Sequence, residues 1–126
     1  MVEPHTVLGV WEVWADGAPF DHHVMMFHAD GTMVQSNPDS GNAESSDSAG
    51  MGDWRAEGDD VVGRFLETRA DRTTHLALGR TVVRFTLRVV GNRFTGRAVA
   101  TVHDRGGALV AESAPAVLRA TRFTAD

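Results

Sequence analysis

Three histidines, His22, His23 and His28, stand among bulky apolar residues in HHVMMFHADGT, and one carboxylate, Glu67, stands in VVGRFLET. Such groups suggest a metal site or proton transfer. The first fails on geometry: a strand rises about 3.3 Å per residue, so His22 and His28 share a face yet lie roughly 20 Å apart, while His23 points the other way. No pair among them can hold one ion. The His-x-His of a cupin site is absent, there is no cysteine, and His75 or His103 could join only across strands, which spacing does not reveal. No metal is expected.

Proton transfer depends on which faces turn inward. Phe27 is the natural core residue of its segment, and if it points in, so do Met25 and His23, leaving His22, Val24, Met26 and His28 outside. The HADGT turn that sets this phase fits either a two-residue loop or a three-residue loop with a bulge. A histidine near the mouth of a cavity titrates close to neutrality and can move protons. The commoner fate of any one histidine is the surface or a satisfied core. In VVGRFLET, an inward Phe65 brings Val61, Gly63 and Glu67 in beside it, and a carboxylate in apolar surroundings has a raised pKa and serves as a general base. The opposite phase puts Val62, Leu66 and Thr68 inside. Gln35 and Asn37 can hydrogen-bond a ligand carbonyl, and Trp14 and Trp54 offer stacking surfaces if they face a cavity, although both have ordinary structural uses. No Gly-x-Ser-x-Gly, phosphate loop or dinucleotide fingerprint is present.

The elements that must position these groups are strands. Apolar and polar residues alternate over short runs punctuated by Gly and Asp, most clearly in TVVRFTLRVVGNRFTGRAVATVHD. A two-residue Gly91-Asn92 turn sets Val89 opposite Phe94, Leu87 opposite Gly96, Phe85 opposite Ala98 and Val83 opposite Ala100. One face is apolar, with large residues meeting very small ones, which means either close packing at a coiled sheet or room for a ligand. Strands are expected near 7–15, 21–28, 32–37, 51–57, 61–68, 80–90, 93–103 and 108–123, the last with a break at Pro115. Eight antiparallel strands suit a closed up-and-down β-barrel, with a β-sandwich as the alternative. The Ser-, Gly- and acid-rich PDSGNAESSDSAGMG, residues 38–52, reads as a flexible loop, idle or a flap at the barrel mouth, and lacks the spacing of a calcium loop.

Composition bounds the rest. The 126 residues suit a single domain, which can bury roughly two-thirds of its unfolded surface without a disulfide or metal. No apolar run approaches the ~20 residues of a membrane span, and the start lacks the basic flank of a secretory signal, so a soluble cytoplasmic protein is expected. The net charge of −5 argues against nucleic acid. Residues 1–60 hold twelve acids and one base, Arg55, whereas 61–126 hold eleven arginines and five acids, so the halves attract. A wall bearing Arg84, Arg88 and Arg97 could likewise meet the acidic half of a second copy, leaving a homodimer open. The absence of Lys, Ile and Tyr fits a high-GC bacterial genome.

The N-terminal LGVWEV and C-terminal VLRATRF resemble the calycin superfamily, the lipocalins and fatty-acid-binding proteins. The resemblance implies that Gly9 and Trp11 supply the Gly-x-Trp that closes the barrel floor, and that Arg119 or Arg122 packs across the indole. About five residues between the first two strands leave no room for the helix pair of fatty-acid-binding proteins, and the lipocalin C-terminal helix and the glycine-rich start of nitrobindins are absent. What remains looks like a minimal lipocalin-like or allene-oxide-cyclase-like barrel, a shape also used by small cyclases of bacterial natural-product pathways. The expected function is binding of a hydrophobic small molecule in the barrel. The alternative is a cofactor-independent isomerase, cyclase or lyase acting by confinement and proton transfer through Glu67 or His23. Met25, Phe27, Phe65, Phe85, Leu87 and Ala98 are expected to line the ligand, with Gln35, Asn37 and Trp54 near its polar groups. A third reading, an interaction module, requires a filled barrel.

Overall fold

Strand periodicity carries through the whole chain. In the computed structural model, which describes residues 7–18, 20–39 and 43–126, ten strands and no helix form among these residues. They are β1 (Gly9–Asp16), β2 (His22–Phe27), β3 (Thr32–Ser36), β4 (Ser45–Asp47), β5 (Gly50–Glu57), β6 (Asp60–Asp71), β7 (Ala77–Val90), β8 (Arg93–His103), β9 (Leu109–Glu112) and β10 (Ala116–Phe123). From β1 to β9 successive strands pair antiparallel except that β4 pairs with β6 and β3 with β5, and β10 pairs with both β8 and β1, which closes the sheet into an eight-stranded up-and-down barrel. Closure leaves no long edge for another chain to extend.

Eight staves arise from ten strands because two staves are interrupted. Along β6, β5 pairs with residues 60–66 and β4 with 69–71. Along β8, β10 pairs with residues 93–98 and β9 with 101–103. The second interruption falls at the expected Pro115. The first lies in the segment 38–52 read as loop: Ser45–Asp47 is strand, and β5 already begins at Gly50. Its sequence, Ser-Ser-Asp, carries no β-propensity, so pairing with the overhanging end of β6 makes it a strand. Residues 40–42 lie outside the described residues.

A serine repairs the ladder at each break. Ser48 N–H donates to Thr68 O while its Oγ accepts from Thr68 N–H, both at 2.9 Å. Ser113 does the same with Ala100, at 2.8 and 2.9 Å. Each hydroxyl replaces a missing main-chain carbonyl, so the strand can bend without leaving a ladder N–H unsatisfied.

The β7–β8 register is the one the turn dictates, with Val83, Phe85, Leu87 and Val89 opposite Ala100, Ala98, Gly96 and Phe94. Gly96 answers to close packing, since a Cβ there would lie 2.2 Å from Thr86 O and 2.8 Å from Leu87 Cδ2. Gly96→Ala is therefore expected to destabilise the barrel by about 2 kcal/mol, as overpacked cores do. Urea unfolding checks this, and an unchanged midpoint would show that the two strands can part there.

One end of the barrel is solid. Trp11, Phe27, Met33, Val61, Leu87 and Phe94 are buried there. Trp11 packs on Phe94 with ring centroids 4.9 Å apart and donates Nε1–H to Val7 O at 2.8 Å. Arg122 lies over the indole, Cζ 4.3 Å from the ring centroid, and its guanidinium donates to Leu8 O at 2.6 Å and Asn92 Oδ1 at 3.1 Å. Of the two arginines considered for this place, Arg122 takes it, because it shares a strand face with the inward Leu118 and Ala120. Gly9 lies beside it with a φ of +113°, which suits glycine, and Arg122 Nη1 is 3.4 Å from where a Cβ would stand, an ordinary contact.

Charge knits the halves of the chain together. Arg69–Asp47, Arg72–Asp39 and Arg88–Asp60 each join an acid of the first half to an arginine of the second. Arg84, Arg88 and Arg97 are exposed on the outer wall, and Arg88 is thus engaged by its own chain. Among the described residues no helix is long and apolar enough to cross a membrane.

Candidate functional site

The other end of the barrel is hollow. A cavity of about 410 Å³ opens between the β1–β2 connection and the two interrupted staves. Its wall is mainly apolar, and Val13, Met25, Phe65, Val83, Phe85 and Leu118 are among the residues that line it. Small residues hold it open, notably Ala98 and Ala100, which face Phe85 and Val83 across the β7–β8 pair. Of the large-against-small pairs on this hairpin, those near the turn are close packing and those further along make room.

Phase and depth place the histidines. His28 N–H donates to Thr32 O at 2.9 Å, and Gly31 has a φ of +91°, so the HADGT turn is the three-residue loop with a left-handed glycine. Phe27 is inward, and with it Met25 and His23. His22 stays outside, stacked on Trp14 at 5.3 Å and bound to Glu12 at 2.7 Å, and His28 bonds Thr32 Oγ1 at 2.9 Å. Trp14 accordingly offers the cavity nothing.

His23 begins a short polar chain. The carbonyl of Phe20 can only accept, so the 2.5 Å contact from His23 Nε2 places the ring proton on that nitrogen. His23 Nδ1 then accepts from Gln35 Nε2 at 3.3 Å, and the same amide nitrogen donates to Asn37 Oδ1 at 2.7 Å. Asn37 Nδ2 donates onward to Pro38 O at 2.8 Å. Burial lowers the His23 pKa, opposed by the Phe20 carbonyl, so the ring is neutral at pH 7. With both amide hydrogens of Gln35 directed at acceptors, its Oε1 is buried with no partner, on a side chain only 2% exposed.

Glu67 faces the same space. Gln35 pairs with Gly50 on β5, Met51 pairs with Leu66, and Glu67 pairs with Thr81, so Gln35, Gly50, Glu67 and Thr81 form one row around the barrel. Gly50 is obligatory in that row, since a Cβ would sit 2.3 Å from the Phe65 ring lying over it. Glu67 is 5% exposed, and burial, helped by the charge of Asp47, pushes its pKa up to about 7. No hydrogen-bond donor or cation reaches its carboxylate among the described residues. Asp47 is also raised by burial, against the pull of Arg69, whose Nε lies 3.6 Å from Oδ1. Ser45 also hydrogen-bonds the Asp47 carboxylate, so only one of its two oxygens, Oδ1, is buried without a hydrogen-bond partner of its own.

Of the residues singled out in the sequence, His23, Met25, Gln35, Asn37, Phe65, Glu67, Phe85 and Ala98 line this cavity. Phe27, Trp54 and Leu87 do not. Phe27 sits deeper, in T-shaped contact with Trp54 at 6.2 Å and Phe85 at 6.0 Å, and Trp54 donates Nε1–H to His28 O at 3.0 Å. Leu87 belongs to the solid end. Sequence reading missed Asp47, Arg69 and Thr81. Arg69 was within reach, being two residues beyond Glu67 on the same face, whereas nothing in Ser-Ser-Asp announces an inward carboxylate.

Chemically, the cavity combines an apolar bed with a polar corner holding open acceptors and a carboxyl group that gains or loses its proton near neutrality. Among the described residues no three His, Asp or Glu side chains gather into a metal-binding group. Comparison of the chain with family models, with curated proteins and with solved structures gives no match.

Proposed function

We propose that this barrel binds an apolar small molecule, and the observation that carries the reading is the 410 Å³ cavity with its apolar wall and single polar corner. Pockets that bury a drug-sized ligand span roughly 300–1,000 Å³ and have this balance of apolar surface and a few polar groups. The Gly9, Trp11 and Arg122 arrangement at the closed end supports a calycin-type barrel, a scaffold suited to such cargo. Fluorescence titration with the neutral aromatic probe N-phenylnaphthylamine tests it. Wild type is expected to bind the probe. Ala100→Phe, which projects a ring into the hollow, is expected to weaken binding at least about tenfold, the loss of a buried ring's contact energy, while the unfolding midpoint holds. Equal binding by wild type and Ala100→Phe would sink the reading.

A second reading rests on Glu67. A carboxyl with a pKa of about 7, facing an apolar cavity with no partner, is competent as a general base, which favours a cofactor-free isomerase, cyclase or lyase. Carbonyl compounds with an acidic α-carbon are the natural test set, scored by deuterium uptake from solvent. Glu67→Gln should abolish any exchange catalysed by wild type, and undiminished exchange in the variant removes this reading.

A further inference from the structure

The polar corner is short of donors. Gln35 directs both amide hydrogens at His23 and Asn37, His23 gives its one ring proton to Phe20 O, and Arg69 stands beside Asp47. Asp47 is engaged by Arg69 and Ser45, but Gln35 Oε1 is buried without a hydrogen-bond partner, and Glu67 has neither donor nor cation among the described residues. A buried acceptor without a donor is unfavourable and a charged one more so, so a ligand that brings both a donor and a positive charge gains most in this corner. Resting on the binding reading above, we infer that the ligand is an apolar amine, whose protonated nitrogen pairs with Glu67 while an N–H or O–H of the same molecule reaches Gln35 Oε1.

Three features favour an amine over a ligand of other charge. A carboxylate would meet Glu67 and Asp47, two acids against the single guanidinium of Arg69, which already has a counter-ion. A neutral alcohol satisfies one acceptor but leaves the Glu67 charge uncompensated. An ammonium group supplies three donors and the absent positive charge together, in a cavity whose remaining wall is apolar. The charged or titratable groups lining the cavity are His23 from β2, Asp47 from β4, and Glu67 and Arg69 from β6, with none from β1, β7, β8 or β10.

A matched set of probes on one aromatic body tests this: naphthylmethylamine, naphthylmethanol, methylnaphthalene and naphthoic acid, titrated by fluorescence and calorimetry at pH 7.5. The amine is expected to bind about tenfold or more tighter than the alcohol, the ratio for one charge-assisted hydrogen bond, and the acid to bind weakest. Glu67→Gln should remove the amine's advantage over the alcohol, since it deletes the charge and keeps the shape. Amine binding to wild type at pH 7.5 should also release a fraction of a proton, about a quarter for a carboxyl that titrates at about 7, seen as a heat that varies with the buffer's ionisation enthalpy, and the variant should release none. Equal binding of all four probes, or tightest binding of the acid, overturns the amine and leaves apolar binding standing. Failure of every probe, methylnaphthalene included, overturns both.

Discussion

Trp11→Ala is expected to destabilise the barrel by about 3–5 kcal/mol, the largest effect of any single truncation in this chain. The indole is fully buried, packs on Phe94 at 4.9 Å, and holds the segment ahead of β1 through its bond to Val7 O. It is also the surface on which Arg122 rests, and Arg122 joins the last strand to Leu8 and Asn92. Removing the ring therefore opens a void beneath the Arg122 guanidinium at the seam where β10 meets β1. Two further substitutions separate these contributions. Trp11→Phe keeps most of the apolar area but loses the Nε1–H bond, and about 1–2 kcal/mol is expected. Arg122→Met keeps the aliphatic stem over the ring but loses the cation and two hydrogen bonds, for a similar cost. Urea unfolding monitored by circular dichroism measures all three. A Trp11→Ala change below about 1 kcal/mol, less than any buried large-to-small substitution gives, would show that the solid end does not hold the barrel shut.

The same seam shows what was legible in the sequence. Period-2 alternation fixes which residues share a face, and a tight turn fixes register, so the β7–β8 pairing was readable residue by residue. Face reading also grouped His23 with Met25 and Phe27, and Phe65 with Glu67, but left open which face of each strand turns inward; the fold turns both groups toward the cavity side. It would have selected Arg122 over Arg119 had Leu118 been taken as inward. Depth along the barrel axis was not readable. Phe27 and Leu87 face inward as much as Met25 and Phe85 do, yet they fill the floor, because depth depends on the stagger of every stave around the circle. That stagger is set by contacts distant in sequence, above all those of β10 with β8 and β1, and no local pattern encodes it. The inward turn of Asp47 was hidden for a related reason: β4 is strand only because the end of β6 overhangs β5.

Glu67→Gln is expected to make the protein more stable at alkaline pH and to leave it nearly unchanged in acid. The sign follows from proton counts. The folded carboxyl titrates at about 7, above its ordinary 4.5, so between these values the folded state holds a proton that the unfolded state has lost. Stability therefore falls as pH rises through this window, and the full cost is present above pH 7. At roughly 1.4 kcal/mol per pH unit the gap sets a ceiling near 3 kcal/mol, and water reaching the carboxyl through the mouth screens it to about 2. The Gln variant should thus exceed wild type by about 2 kcal/mol at pH 8.5 and match it within about 0.5 at pH 4.5, where both side chains are neutral. His23 acts in the opposite direction: its folded pKa lies below 6.5, so it withdraws stability as pH falls, but it is present in both proteins and cancels in the difference. Relief of the repulsion between Asp47 and Glu67 is already contained in that gain, since the Asp47 charge is one of the causes of the raised Glu67 pKa. Paired urea unfolding curves at the two pH values measure the effect. Parallel stability profiles would mean that Glu67 meets water freely, and they would remove the physical basis for both its role as a base and its pairing with an amine. A stability gain on deleting the carboxylate, joined to a loss of amine binding, would show that Glu67 is kept in the barrel for what it binds, since the fold is better off without its charge.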